Sequence, residues 1–234
     1  MRLSAFCASL AAASVFLTGS AYAANVASST FDVGAEGWQV GEFQSLGATS
    51  GVTYNSVRQD IETSDVFSYN AFVAPTAFLG DKSAVFGGTF RFELSDSLND
   101  GFAASPFTLI GNGQALYAKG SVVPSTDPLA KTTYSLTLIG SNFGTSDGGA
   151  GTVSDATLQS VLANLQRVAI NADWRSGADF VTLDNVYLCT TGACGAVTPP
   201  PGVPEPATWA MMLSGFGLLG AAARRRARSS VTCA

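Results

Sequence analysis

Hydrophobic and polar residues alternate with a period of two along much of the chain. The clearest runs are residues 90–94 and 134–138, in which aromatic or aliphatic side chains alternate with polar ones. Successive side chains of a β-strand point to opposite faces, so this alternation is typical of a strand with one buried face and one solvated face. We therefore predict a strand at each run.

Three other segments also carry strand signals. Residues 67–73 form another alternating face that ends at Pro75, and residues 180–188 are the last predicted strand. Residues 106–118 comprise two runs around Gly111-Asn112-Gly113. Asn-Gly is a frequent hairpin turn because both residues tolerate a positive φ, so we predict a hairpin there.

One segment has the period of a helix instead. Hydrophobic residues stand at positions 158, 161, 162 and 165, which share one helix face, and Ser154 or Asp155 can cap the amino end. We predict an amphipathic helix over roughly 155–166. Short strands with one helix favour an all-β jelly-roll β-sandwich over residues 24–194.

The first 23 residues have the layout of a secretory signal peptide. Arg2 precedes an uncharged apolar stretch over residues 3–17, and Ala21-Tyr22-Ala23 supplies small residues before a cut by signal peptidase ahead of Ala24. The alternative is a retained anchor, although the apolar stretch is short for a spanning helix. We expect the chain to be exported.

The carboxy-terminal segment has the layout of a membrane helix. A Pro-rich spacer over residues 195–203 and the motif Pro204-Glu205-Pro206 precede an uncharged apolar stretch over residues 207–223, with Trp209 at its start. As a transmembrane helix this stretch is about 26 Å long, slightly less than the ~30 Å hydrocarbon core. Basic residues follow it: Arg224, Arg225, Arg226 and Arg228. The positive-inside rule keeps these arginines cytoplasmic and the body outside; a buried helix of the globular domain is the alternative.

This segment resembles the PEP-CTERM sorting signal of Gram-negative bacteria. The resemblance rests on three elements in order: Pro204-Glu205-Pro206, the apolar stretch with Trp209-Ala210, and the arginine cluster over 224–228. It implies recognition by an exosortase, a membrane-embedded transpeptidase-like protease, and cleavage near the motif. It also implies that the helix holds the chain in the inner membrane, with the body periplasmic, until the protein is sorted to the cell surface or the exopolysaccharide matrix. The six residues after Arg228 depart from the usual pattern.

The body resembles the laminin IV type A (laminin B) domain. Its start matches in Phe31-Asp32 and Gly37-Trp38, and its centre matches over residues 72–94. The central stretch contains Phe78-Leu79-Gly80-Asp81 and Gly87-Gly88, and later matches are Leu162 to Leu165 and Leu183 to Val186. The resemblance implies a galactose-binding-like β-sandwich that serves as an extracellular module. We expect the matched residues to be structural, with a ligand role for Asp81 as the alternative.

Composition and charge exclude several classes of function. The chain contains no histidine, which excludes His-based acid–base catalysis, Ser-His-Asp triads and His-ligated metals. Between residues 24 and 203 there are seven basic and 16 acidic residues, a net charge of −9. An acidic body repels phosphate backbones, so we expect no binding to nucleic acid.

Two cysteines of the body are predicted to pair. Cys189 and Cys194 are separated by only four residues, and an exported protein reaches an oxidising compartment. We predict a disulfide that holds the last strand before the Pro-rich spacer.

Ligand contacts are less sharply marked. Trp174 is the candidate contact for a surface glycan or exopolysaccharide, because an aromatic ring can stack on a sugar; packing in the core is the alternative. The oxygen-rich loops at 99–101 and 146–149 have ligands for Ca²⁺, but plain turns are the simpler interpretation, and we expect no cofactor.

Asp60 and Glu62 are the one carboxylate pair suited to glycoside hydrolysis, because they alternate along a predicted strand. A solvated strand face is the alternative. The sequence therefore indicates a non-enzymatic surface or matrix protein with an adhesive or structural role. A carbohydrate-binding module is the second hypothesis, and a glycan-processing enzyme is the third.

Overall fold

Two antiparallel β-sheets pack face to face in the part of the chain that the structure, a computed structural model, describes. These residues are 25–100, 104–120 and 122–191, with the single residues 194 and 214. The chain divides into two units, residues 1–196 and 197–234, and the sandwich lies in the first. The predicted all-β sandwich with one helix is therefore confirmed.

The first sheet has the strand order β10-β7-β13-β5-β4, and β1 pairs with β13 as well. Its strands are β1 (Asn25–Ser29), β4 (Thr53–Asn55), β5 (Asp60–Ser64), β7 (Thr89–Asp96), β10 (Thr132–Thr137) and β13 (Phe180–Cys189).

The second sheet has the order β11-β9-β8-β12-β6-β2-β3. Its strands are β2 (Gln39–Glu42), β3 (Thr49–Gly51), β6 (Asn70–Val73), β8 (Phe107–Gly111), β9 (Gln114–Ala118), β11 (Phe143–Gly144) and β12 (Leu165–Asn171).

Aromatic side chains fill the space between the sheets. Phe90 and Phe92 of β7 and Phe107 of β8 are buried, and the Phe90 and Phe107 rings meet edge to face with centroids 4.8 Å apart. Phe92 also stacks on Tyr134 of β10 at 4.9 Å. The alternation that predicted β7 and β10 therefore reflects burial of one strand face against a large aromatic core.

The predicted hairpin is confirmed. β8 and β9 pair through Gly111 and Gln114, and the two turn residues Asn112 and Gly113 have φ values of 49° and 73°. Positive φ at both central positions is the conformation for which Asn-Gly is favoured, so the turn sequence fixes the register of these strands.

The predicted helix is four residues too long. Helix α1 runs over Asp155–Leu162, and the Ser154 hydroxyl accepts a hydrogen bond from the Thr157 amide at its amino end. Leu165, expected on the last turn, instead begins β12 and exchanges both backbone hydrogen bonds with Gly80, at 2.8 and 2.9 Å. These long-range hydrogen bonds compete with continuation of the helix. The helical spacing of Leu165 in the sequence gives no indication of them, which is why the predicted helix is too long.

Strand β13 has a different partner on each part of its length. One edge pairs with β7, while the other pairs with β5 over residues 180–183 and with β1 over residues 186–189. The register against β7 shifts between Asp184 and Tyr187, where Asn185 has a φ of 50°. Asn tolerates this left-handed conformation better than most residues, which accounts for Asn in the Leu183 to Val186 match.

A disulfide joins Cys189, the last residue of β13, to Cys194, with Cα atoms 5.6 Å apart. Among the described residues, no helix has the length and apolar character needed to cross a bilayer. The predicted signal peptide, the Pro-rich spacer and the predicted transmembrane helix over 207–223 lie outside the described residues, except for Ser214.

Gly88 provides a test of this packing. A Cβ atom there would lie 2.0 Å from the carbonyl oxygen of Cys189 and 2.9 Å from that of Val85. Because both neighbours are backbone atoms of packed segments, we expect Gly88→Ala to lower the free energy of unfolding by about 3 kcal/mol in urea titrations. Gly51→Ala is the matched control, since a Cβ at this strand glycine meets nothing within 4 Å. Equal stability of the two variants would contradict the packing described here.

Candidate functional site

Three aspartates from separate segments meet at one end of the sandwich. Asp65 follows β5, Asp173 follows β12, and Asp179 precedes β13. One carboxylate oxygen from each lies within 4.8 Å of the other two. The ends of strands from both sheets therefore bring three carboxyl groups together. We call Asp65, Asp173, Asp179 and the adjoining Asp96 the acidic end.

Asp96 and Asp179 are the most buried members of the acidic end, with 0% and 6% of their surface exposed. Burial, followed by the charge of Asp96 and by the hydrogen bond and charge of Asp65, raises the pKa of Asp179 to about 8. Burial also raises the pKa of Asp96 to about 6, and burial together with the charge of Asp65 raises the pKa of Asp173. Neighbouring carboxylates in a low dielectric cannot all ionise, so a group without a cation retains protons near neutral pH.

Hydrogen bonding leaves some buried side-chain oxygens of the acidic end without a donor. Asp179 accepts a hydrogen bond from the Trp174 amide at Oδ2, and no donor in the described residues reaches Oδ1. Asp96 accepts from the Leu98 amide at Oδ1, and its Oδ2 likewise lacks a donor. The side-chain oxygen of Asn70, at the start of β6, is also buried without a donor. A buried polar atom without a partner is costly, so these oxygens are available for a ligand that carries positive charge.

No ion pair within the described residues involves the acidic end. Arg175 is the nearest basic residue in sequence, and its guanidinium donates to the carbonyl oxygen of Ala178 at 3.4 Å. The segment between β12 and β13 therefore brings two acids to this end without neutralising them.

A cleft of about 370 Å³ opens beside the acidic end. Asp65 and Asp173 form part of its wall, with Phe67, Tyr69 and Arg175. The Tyr69 hydroxyl donates to Asp147 at 2.6 Å, and burial together with this bond raises the pKa of Tyr69 far above its ordinary value. Tyr69 is therefore a neutral hydrogen-bonding group, and the cleft gives solutes access to the carboxylates.

Sequence patterns did not predict the acidic end. Its members are separated by as many as 114 positions, and each stands singly next to a strand end. A run of acidic ligands at fixed spacing, as in a dedicated calcium loop, would have been recognisable. Here only the pairing of β5 and β7 with β13, and of β12 with β6, brings the residues together.

The structure places Trp174 in the core, not on a binding surface. The side chain is 0% exposed, its ring centroid lies 6.1 Å from that of Tyr134, and its indole N–H donates to the carbonyl oxygen of Asn171 at 3.2 Å. A buried ring has no face free to stack on a sugar, so the core-packing interpretation of Trp174 fits the structure and the candidate glycan contact does not.

The two oxygen-rich loops form hydrogen-bonded turns. Asp147 accepts hydrogen bonds from Tyr69, from the Ser105 amide at 2.9 Å and from the Gly148 amide at 2.8 Å. Donors within the protein thus satisfy the one carboxylate of residues 146–149. In the other loop, the Asn99 side chain donates to the Pro124 carbonyl oxygen, and Gly101 lies outside the described residues.

Asp60 and Glu62 belong to a charge network instead of a solvated strand face. Asp60 is 0% exposed and forms ion pairs with Arg58 at 2.9 Å and with Lys131 at 3.0 Å. Arg58 also pairs with Glu62, and Lys131 contacts Asp184 at 3.4 Å. Cations thus occupy the carboxylates that the sequence offered for glycoside hydrolysis, which does not suit them to act as an acid and a nucleophile.

The residues that carry the family resemblance are structural. Trp38 lies between Phe31 and Phe78, with ring centroids at 6.2 and 5.3 Å, and its indole N–H donates to the Ser29 hydroxyl at 2.8 Å. Asp81 accepts hydrogen bonds from the amide and hydroxyl of Ser83, which closes a turn and lowers the pKa of Asp81.

These features define a two-sheet β-sandwich. The aromatic and glycine residues that carry the resemblance form its core and its turns. The family model described as Laminin B (Domain IV) matches residues 71–209, more than half of the chain. The chain therefore belongs to the laminin B family.

A second family model, the PEP-CTERM protein-sorting motif, matches residues 202–226. This motif is a substrate signal for exosortase processing, and it marks the chain as an exported envelope or surface protein of a Gram-negative bacterium. The sorting residues from Pro204 to Arg228, apart from Ser214, and the cleavage residues Ala21, Ala23 and Ala24 lie outside the described residues.

One solved structure supports the fold assignment. The L4b domain of human laminin alpha-2 superposes with a TM-score of 0.60 at 11% sequence identity, covering 71% of this chain and 98% of that domain. An exo-beta-agarase gives a TM-score of 0.40 at 11% identity, with coverage of 85% of this chain and 30% of that one, which is too low to indicate a common fold. No curated protein matches the chain.

The charge network at Asp60 can be tested through Lys131. Lys131→Met leaves Asp184 without its cation and Asp60 with Arg58 alone. Because breaking a buried ion pair leaves uncompensated charge, we expect a loss of roughly 3 kcal/mol in unfolding free energy at pH 7. Burial already raises the pKa of Asp184, and Lys131 opposes that shift. Removing Lys131 should let this carboxyl protonate more readily as the pH falls, so the loss should be smaller at pH 5 than at pH 7.

The control for this measurement is Lys119→Met. The Lys119 ammonium contacts the carbonyl oxygen of Ser141 at an exposed position and forms no ion pair within the described residues. Chemical denaturation should show a change of less than about 0.5 kcal/mol at either pH. If the two lysine variants gave the same unfolding curve, the ion pairs of Lys131 would not contribute to stability.

Proposed function

We propose that this protein is a non-enzymatic module for adhesion or matrix organisation, which an exosortase sorts to the cell surface or to the exopolysaccharide matrix. The observation that carries the proposal is the presence, in one chain, of a laminin B body and a PEP-CTERM motif at 202–226. The motif delivers the chain to the place where an extracellular structural module acts. Laminin-like domains suggest such a role for the body.

The side chains of the body support a binding or structural role over catalysis. The carboxylate pair at Asp60 and Glu62 is neutralised by Arg58 and Lys131. The matched residues Trp38 and Phe78 are buried in the core. A sandwich of this kind presents loops and sheet faces to a partner, and these surfaces carry the proposed adhesion.

The structure does not support the residue that favoured the carbohydrate-binding alternative, Trp174. Trp174 is buried, and the aromatic residues in the wall of the cleft beside the acidic end, Phe67 and Tyr69, are half-buried. We therefore keep adhesion or matrix organisation as the function, with exopolysaccharide as one partner that such a module would meet.

The route to the surface follows from the two terminal signals. Signal peptidase would cut ahead of Ala24, and the stretch over 207–223 would hold the chain in the inner membrane with the arginines from 224 to 228 in the cytoplasm. The exosortase would then act near Pro204-Glu205-Pro206. The extended, proline-restricted backbone of this motif loses little entropy when an enzyme binds it.

Replacement of Pro204, Glu205 and Pro206 by Ala, Gln and Ala tests the sorting step. The apolar stretch and arginines remain, so insertion should be unchanged, while recognition by the exosortase should fall sharply. Immunoblots of fractionated cells should show the unprocessed form accumulating in the inner membrane. The matched control is Val203→Ala, immediately before Pro204-Glu205-Pro206, which should mature normally. Release of the triple variant like the unaltered protein would contradict exosortase recognition of these residues.

A domain exchange tests the role of the body. Residues 24–203 are replaced by an unrelated secreted domain, with the signal peptide and the tail from 204 onwards retained. The hybrid should reach the surface as the native chain does, because the signals are intact, but cell aggregation and matrix cohesion should fall to the level of a deletion strain. Full cohesion with the hybrid would show that the body has no adhesive or structural role.

A further inference from the structure

The acidic end combines a cluster of oxygen ligands with buried atoms that have no partner. Asp65, Asp173 and Asp179 each place one carboxylate oxygen within 4.8 Å of the others. Asp179 is 6% exposed, and its Oδ1 accepts no hydrogen bond from the described residues. Asp96 is fully buried and its charge acts on Asp179, and its Oδ2 also accepts no hydrogen bond from the described residues. These unpartnered oxygens lie on side chains that are more than nine-tenths buried, which distinguishes the acidic end from an ordinary group of exposed acids.

We propose that the acidic end is a Ca²⁺-binding site in which Asp65, Asp173 and Asp179 are the carboxylate ligands. Asp96 contributes a buried negative charge next to them, and the cleft lined by Asp65 and Asp173 is the entry path.

The chemistry of the donors selects Ca²⁺ among the common cations. The site contains only oxygen ligands, the chain has no histidine, and Cys189 and Cys194 are bonded to each other. Zn²⁺ favours nitrogen and sulfur ligands, so it is a poor fit. Mg²⁺ requires near-ideal octahedral geometry and keeps several waters, whereas Ca²⁺ accepts six to eight oxygens in a flexible arrangement. Ligands from separate loops suit the more tolerant ion.

A cation here would join the two sheets. Asp65 and Asp179 adjoin β5 and β13 of the first sheet, while Asp173 follows β12 of the second. The segment from 172 to 179, which connects β12 to β13, supplies two of the three ligands. Binding should therefore stabilise the sandwich and order the rim of the cleft, because an ion that binds only the folded state shifts the unfolding equilibrium.

The experiment measures thermal unfolding of the full chain, purified in detergent and depleted of metal with EDTA. We expect about 10 mM CaCl2 to raise Tm by roughly 5–10 °C, the shift for a ligand in large excess over its Kd in a domain of this size. The same concentration of MgCl2 should raise Tm by less than about 2 °C. Tb³⁺, which occupies Ca²⁺ sites, should show luminescence sensitised by Trp174, whose backbone contacts Asp179.

Asp179→Asn separates binding from folding. In EDTA this variant should melt at or above the Tm of the unaltered chain, because an amide relieves the repulsion among buried carboxylates. It should nevertheless lose the Ca²⁺ shift and the Tb³⁺ signal. Asp65→Asn changes an exposed ligand, so it leaves the core intact and should weaken Ca²⁺ binding at least tenfold. Asp127→Asn, at an exposed aspartate of another loop, is the matched control and should keep the full shift.

Three outcomes would overturn the site. The first is the absence of a Ca²⁺-dependent Tm shift in the unaltered chain. The second is an equal shift with Mg²⁺, which would indicate general screening of an acidic surface. The third is a full shift in both Asp65→Asn and Asp179→Asn, which would place the ion elsewhere.

Discussion

The last strand of the sandwich, β13, is the constraint on which the rest of the structure depends. It pairs with β7 along one edge and with β5 and β1 on the other, so most strands of the first sheet contact it directly. Both ends of the described body are thereby fixed to one strand, because β1 is the first strand and β13 the last. This closure has a high sequence separation, so the loop entropy lost in forming it must be offset by the aromatic core that the two sheets enclose.

Each end of β13 carries a feature that follows from its central position. At its amino end Asp179 enters the acidic end, where strands from both sheets terminate. At its carboxyl end Cys189 is bonded to Cys194. In between, the register against β7 shifts after Asp184, close to the point where the other edge passes from β5 to β1, and Lys131 forms an ion pair with the largely buried carboxylate of Asp184. The Leu183 to Val186 match therefore coincides with the point at which one edge of β13 passes from β5 to β1.

Sequence reasoning succeeded where local physics decides the structure. Alternation predicted β7 and β10, Asn112-Gly113 predicted the hairpin, and Ser154 marked the helix start. It was wrong where a distant segment competes: Leu165 leaves the helix because Gly80 supplies its backbone partners, and Asp60 is buried because Arg58 and Lys131 compensate its charge. For Trp174 the sequence left core packing open beside a glycan contact, and the approach of Tyr134 is the long-range contact that makes it a core residue. The acidic end lay beyond local patterns altogether, because its members share no periodicity.

The two buried groups of carboxylates in this body differ in how their charge is balanced. Around Asp60 the chain supplies its own cations, and every carboxylate of that network has a basic partner. Around Asp179 it supplies none within the described residues, although burying carboxylates costs several kcal/mol per ion. A sandwich with so large an aromatic core does not need buried aspartates to fold, since apolar residues of similar size would serve stability at least as well. Buried groups that lower the stability of the protein itself are expected at sites that bind a ligand. The carboxylates of the acidic end have the negative charge and the oxygen atoms that a hard cation requires.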